Sequence, residues 1–187
     1  MKDVKMKQAL LVVDIQNDYF PGGRFELFEM ERASKNAQRL LQTFRDQQAP
    51  IIHIQHIALQ PEAPFFLPDT QGAKIHASVV PSSDGLTIVK HFPNSFRETD
   101  LLQYLKALEI EEVVICGAMS HMCIDATTRA AFDFGFQCVV IEDACATRDL
   151  DYQGHIVKAV EVQTAFMAAL AMIYAKVISS DEFLSYL

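Results

Sequence analysis

An α/β fold built on a parallel sheet is predicted by three features of this sequence. Short runs of Val, Ile and Leu recur along the chain and alternate with stretches whose apolar residues follow helical spacing. The runs are apolar at successive positions, as strands buried on both faces require. One of them, residues 113–116, leads through Gly117 into a helical stretch ending at Gly135, the strand–turn–helix unit of a right-handed crossover.

Taken in order, residues 9–13 are the first strand and deliver Asp14 at its carboxyl end. Gln16, Asn17, Asp18 and Pro21-Gly22-Gly23 then make a polar turn interleaved with Tyr19, Phe20 and Phe25. Residues 30–48 place apolar side chains at 33, 37, 40, 41 and 44, a helical stripe, and residues 50–54 read as the second strand. Four prolines and two glycines make residues 58–86 a long loop, a kind of segment that often carries function. A third strand, 86–89, ends at Lys90; an amphipathic helix covers 98–108; the fourth strand is 113–116. Ser120 is the expected N-cap of the next helix, which puts Cys123 in its first turn. Residues 136–141 form the fifth strand and 153–173 a long helix whose Ala165, Ala168, Ala169 and Ala171 permit close packing. Residues 174–178 form the sixth strand, ahead of a short C-terminal helix.

No repeat or linker divides the chain, so residues 1–187 are expected to form one domain with room for a full core. Half the residues are hydrophobic and 21% are charged, the balance of a globular protein rather than a disordered one. A net charge of −8 and the lack of any basic run argue against a nucleic-acid partner. The apolar run after the N-terminal lysines is too short for a signal peptide or a membrane span. Cys116, Cys123, Cys138 and Cys145 show neither a CxxC pair nor zinc-type spacing, and Cys116 and Cys138 lie in strand-like runs. A cytoplasmic protein with reduced thiols is the expectation.

Three ionisable residues, Asp14, Lys90 and Cys123, each follow a different predicted strand. In a parallel sheet such positions meet at the carboxyl edge, where ligands collect. A thiol there becomes a nucleophile when a carboxylate takes its proton and an ammonium supports the charge, and the positive end of a helix would further favour the thiolate. Taken singly, each also has an ordinary role: Asp14 as a loop cap, Lys90 as a surface charge, Cys123 as a core thiol.

Residues 11–23, Leu-Val-Val-Asp-Ile-Gln-Asn-Asp-Tyr-Phe-Pro-Gly-Gly, resemble the first motif of the isochorismatase-like cysteine hydrolases, which include the nicotinamidases. Val89-Lys90-His91-Phe92-Pro93-Asn94-Ser95-Phe96 resembles their lysine motif, and the stretch from Cys116-Gly117 through Cys123 to Arg129-Ala130-Ala131 their cysteine motif. Glu142-Asp143-Ala144 resembles the strand end that follows. The resemblance implies a three-layer α/β/α sandwich around a six-stranded, mainly parallel Rossmann-like sheet, commonly in a homo-oligomer such as a dimer or tetramer. It implies Asp14 as proton acceptor and later donor, Lys90 as electrostatic support and Cys123 as nucleophile toward an amide carbonyl. It also implies a cis peptide at Ala118–Met119 and an oxyanion hole formed by the backbone N–H groups of Met119 and Cys123.

Nicotinamidases of the family carry a metal after the second strand, on an Asp-x-His pair and a further His. Here that region reads His53-Ile54-Gln55-His56-Ile57-Ala58, without the acidic residue, so His53, His56 and His76 make a weak ligand set and neither metal nor cofactor is expected. His53 is expected to pack within its strand and His56 to border the pocket. Phe20, Phe92 and His121 complete the candidate pocket for a small molecule, with Phe25 and Phe96 equally suited to anchoring loops. Asn17 and Asp18 are expected to stabilise the turn after the first strand, and Asp143 and Arg148 are a possible pair. Val162, Phe166, Ala169, Leu170 and Ile173 form a core or subunit-interface stripe.

The function expected is hydrolysis of a small-molecule amide through a thioester on Cys123. Two other readings stand beside it. One is isochorismatase-type cleavage of a vinyl ether, which need not use a thiolate. The other is a non-catalytic binding or redox-sensing homologue.

Overall fold

Gln8–Val13 forms the first strand, β1, and its alternate side chains enter two different cores. The computed structural model describes residues 6–186, so the N-terminal reading lies largely outside the described residues. Leu10 and Val12 face the helix Met30–Asp46 (α1), whereas Ala9, Leu11 and Val13 face the opposite layer. The remaining strands of the main sheet are β2 (Ile51–His56), β3 (Leu86–Lys90), β4 (Glu112–Ala118), β5 (Gln137–Ala146) and a late edge strand, Lys176–Ile178. All are parallel, in the order β3-β2-β1-β4-β5 followed by that edge strand. This is the six-stranded sandwich the sequence predicts. One layer holds α1 and the C-terminal helix Ser180–Ser185; the other holds α2 (Leu101–Ala107), α3 (Asp125–Asp133) and the helix Ala159–Ile173.

Two expectations need correction. Ser120 does not cap a helix. The chain leaves β4 through Met119 into a wide π-type turn, Ser120–Ile124, before α3 begins. The buried Ser120 hydroxyl is instead shared between Ala146 O at 3.2 Å and Gln163 Oε1 at 2.6 Å. The long helix does not start at 153. Leu150–Tyr152 (β6) and His155–Val157 (β7) form an antiparallel hairpin, turned by Gln153 and Gly154 at φ +55° and +81°. The helix that follows, α4, starts at Ala159, whose N–H donates to Asp149 Oδ1 at 2.8 Å. The edge strand is therefore β8, and the C-terminal helix α5 is capped by Ser179 Oγ, which accepts the Glu182 N–H at 3.1 Å.

Among the described residues no helix is long and apolar enough to cross a membrane. Of the stripe expected on α4, Val162 and Leu170 are buried, while Ile173 is 64% exposed beside Met172 at 80%. All four cysteines are buried and unpaired.

Candidate active site

The sheet order decides which side chains meet. β1 and β4 are central neighbours, so Asp14 and the turn carrying Cys123 emerge side by side. Lys90 ends β3, two strands from β1, which is roughly 10 Å across the sheet. Its long side chain crosses the end of β2, where His56 is its register partner. The ammonium thereby reaches 2.7 Å from Asp14 Oδ2, 3.1 Å from His56 Nδ1, 3.1 Å from the Phe92 carbonyl and 3.2 Å from Cys123 Sγ. The side chains of Asp14 and Lys90 are wholly buried, so their attraction is little screened.

Asp14 itself adopts φ +52°, a left-handed conformation that Asp tolerates better than most residues. Its N–H donates to Ile54 O at 3.0 Å, tying this bend to β2. Gly117, at φ +128°, lies at a register shift in β4, and a Cβ there would stand 1.9 Å from Val13 O. Glycine lets β4 approach β1 immediately before both strands deliver their functional residues. The Ala118–Met119 peptide is cis.

Burial, and then the Asp14 carboxylate, push the Cys123 thiol far above its ordinary value, with Lys90 pulling the other way. The expected pull of a helix end toward the thiolate is thus opposed by burial and by the neighbouring carboxylate. Burial alone would lower Lys90, but the charges of Asp14 and Cys123 hold it above its ordinary value. His56 is lowered to about 4, chiefly by burial, so it is neutral near pH 7 and its Nδ1 accepts from Lys90. The arrangement brings a buried ammonium, a carboxylate and a thiol into one pocket.

The family profile described as the isochorismatase domain matches residues 8–182. The chain belongs to the isochorismatase family. It is 51% identical over 179 residues, 96% of this chain and 99% of the other, to an uncharacterized isochorismatase family protein of Bacillus subtilis. A crystal structure from Oleispira antarctica is 47% identical, covers 97% of both chains and superposes with a TM-score of 0.92. Amidohydrolases belong to the same family. Maleamate amidohydrolase of Pseudomonas putida is 26% identical over 78% of this chain and 75% of its own. The N-carbamoylsarcosine amidase of Thermoplasma acidophilum is 26% identical, with a TM-score of 0.81 over 94% of this chain and 98% of its own.

In this isochorismatase-family chain the three candidate metal histidines do not converge. His53 lies in the core of β2, and the His76 ring stacks on Phe20 with centroids 3.5 Å apart. Among the described residues only Asp14, His56 and Cys123 bring metal-ligating atoms within 4.8 Å of one another. That set does not fit a metal, because the Lys90 ammonium already stands at hydrogen-bonding distance from all three. Phe92 meets the site through its carbonyl, while its ring lies 3.6 Å from the Arg97 guanidinium carbon. His121 turns toward Thr147, 2.6 Å from its hydroxyl, and meets Phe166 edge-on. Asp143 and Arg148 do not pair. Asp143 accepts the Ser180 N–H at 2.7 Å and its hydroxyl at 2.8 Å, and Arg148 lies over Phe25.

Sequence reasoning missed three buried residues around this site. Gln16 is fully buried and clips the ends of β1 and β2 together. Its Nε2 donates to His56 O at 2.9 Å and Ala73 O at 2.7 Å, and its Oε1 accepts the His56 N–H at 2.8 Å. Ser95, also fully buried, holds the lysine loop to α3 through Thr127 at 2.8 Å. Tyr19 is buried beside Cys123 and Asp14, and burial, then the charges of Cys123 and Asp14, raise its phenol well above the ordinary value. Gln16 and Ser95 carry no signal in a local pattern, because their partners are 40 and 32 residues away.

His53 and His56 make a pH prediction for this family member. Burial lowers both to about 4, below the ordinary 6.5. The unfolded chain therefore binds more protons than the folded one between those values, and stability falls as pH drops from 6.5 toward 4. Urea midpoints at pH 7, 5.5 and 4.5 should decline, and less steeply in His53→Phe. An equal decline in that variant would remove His53 from the effect.

Proposed function

We propose that this protein is a cysteine amidohydrolase acting on a small molecule. One observation carries the reading: a buried Lys90 ammonium touches both Asp14 Oδ2 and Cys123 Sγ, within 3.2 Å. As Sγ attacks the amide carbonyl carbon, Asp14 takes the thiol proton, and Lys90 stabilises the sulfur as negative charge passes to the carbonyl oxygen. That oxygen is received by the Met119 and Cys123 N–H groups. Collapse of the tetrahedral species breaks the C–N bond, and Asp14 returns the proton to the departing amine. Asp14 then deprotonates a water molecule, whose attack on the thioester releases the acid and regenerates the thiol. The amidohydrolases in the family support the same chemistry.

A redox sensor needs an accessible thiol of low pKa, and a Cys123 that is 4% exposed with its thiol pushed up weighs against that role. The exposed apolar end of α4 supports a homo-oligomer.

The test is ammonia release from a panel of primary amides and carbamoyl compounds, run on wild type and Cys123→Ala. Loss of the nucleophile should reduce turnover by about 10⁴-fold or more. Retention of most activity by Cys123→Ala would overturn the thioester route in favour of vinyl ether-type hydrolysis. Silence from wild type across the panel would overturn the amide class.

A further inference from the structure

Asp18 lies in the short turn after β1 and is 2% exposed, yet the triad makes no use of its carboxylate. Its oxygens accept backbone N–H groups from the long loop, at Phe66 (2.7 Å), and from its own turn, at Arg24 (3.3 Å). Its own N–H donates to Gly72 O at 2.9 Å, and its carbonyl accepts the Phe25 N–H at 2.8 Å. One residue thus ties the turn after β1 to the long 58–86 loop at two points. The space is cut to fit. A Cβ on Gly72 would stand 2.0 Å from Asp18 Oδ1, and one on Gly23 would stand 2.5 Å from Asp18 O.

What this clamp holds is the wall beside the triad. Phe66 is fully buried at φ +58°, a left-handed conformation that a bulky residue keeps only when its surroundings enforce it. Its ring centroid lies 4.5 Å from that of Tyr19 and 5.9 Å from that of His56, which itself touches Lys90. Phe65 packs on Tyr19 at 5.5 Å and on Phe25 at 4.2 Å. A carboxylate suits the position because it is acceptor-only, and donors reach both of its oxygens; an amide would turn an NH₂ toward one of them.

We infer that Asp18 is a positioning residue: by holding the Phe66 N–H it sets the aromatic wall of Tyr19, Phe65 and Phe66 against His56 and so governs access to Cys123 and substrate fit. Asp18 contributes no proton and touches no reacting atom. The kinetic arm of its test rests on the amidohydrolase reading above, while the labelling arm does not.

Two variants disturb the clamp from opposite sides: Asp18→Asn removes the second acceptor, and Gly72→Ala pushes a methyl group into the carboxylate. Iodoacetamide labelling of Cys123, followed by peptide mass, should quicken about fivefold or more in each variant that keeps a cooperative melt. KM for an amide that wild type hydrolyses should rise about tenfold, with kcat within about threefold, because the wall binds and the triad reacts. Labelling within twofold of wild type in the folded variants would overturn the proposal, as would a fall in kcat at unchanged KM. Should wild type hydrolyse no amide, the amidohydrolase reading falls while the labelling rates still decide the role of Asp18.

Discussion

Lys90→Met is expected to damage the site in stability as well as in turnover. It leaves the Asp14 carboxylate wholly buried and without its cation, and an orphaned buried charge costs about 3–5 kcal/mol. Against a total stability of roughly 5–15 kcal/mol, that loss should show as a large fall in the urea midpoint at pH 7. Turnover should drop by about 10²-fold or more, because charge then develops on sulfur without its nearest electrostatic support. The double variant Asp14→Asn/Lys90→Met separates the two effects. It removes both charges and should recover part of the lost stability while remaining inactive. An unfolding midpoint for Lys90→Met equal to that of wild type would mean that the ion pair is not buried in solution.

Gly117→Ala is expected to destabilise at least as much, by a different route. The added methyl group would stand 1.9 Å from Val13 O and 2.7 Å from its carbonyl carbon, on a residue at φ +128°. Neither strand has room to give, since β1 and β4 are the two central strands and their neighbouring residues Val13 and Ala118 are fully buried. A loss above about 4 kcal/mol, or failure to accumulate folded protein, is the expected outcome. Gly154→Ala is the control: its φ is also positive, at +81°, but a methyl group there meets nothing within 4 Å. That substitution should cost only about 1–2 kcal/mol, the conformational penalty alone. Melting curves for the two variants that lie within a few degrees of each other would contradict the close approach of β4 to β1.

The strands themselves were legible because a parallel strand buried on both faces has a local signature. Residues 9–13, 113–116 and 138–141 are apolar at successive positions, and the core of each strand lies where that run lies. The β6–β7 hairpin was not legible. His155-Ile156-Val157 continues smoothly into an apolar helix, so only the paired positive φ angles at Gln153 and Gly154 separate the two elements. Ser120 failed as a cap for a related reason. Its chemistry suits an N-cap, but Gln163 and the end of β5 offer its hydroxyl buried partners that no local pattern reveals.

The sequence by itself determined the fold class and the family, and it put Asp14, Lys90 and Cys123 at strand ends, which in a parallel sheet share an edge. Strand order was a tertiary matter, and with it the choice of lysine: only a long side chain on β3 can cross β2 to reach Asp14. The tertiary structure also set the direction in which the Cys123 thiol is shifted, because burial and then the Asp14 carboxylate push it up while a helix end and Lys90 pull the other way. The roles of Gln16, Ser95 and Asp18 belong to the same class. Each acts through a backbone or side-chain partner 32 to 48 residues away, and a hydrogen bond of that span has no counterpart in local composition or periodicity.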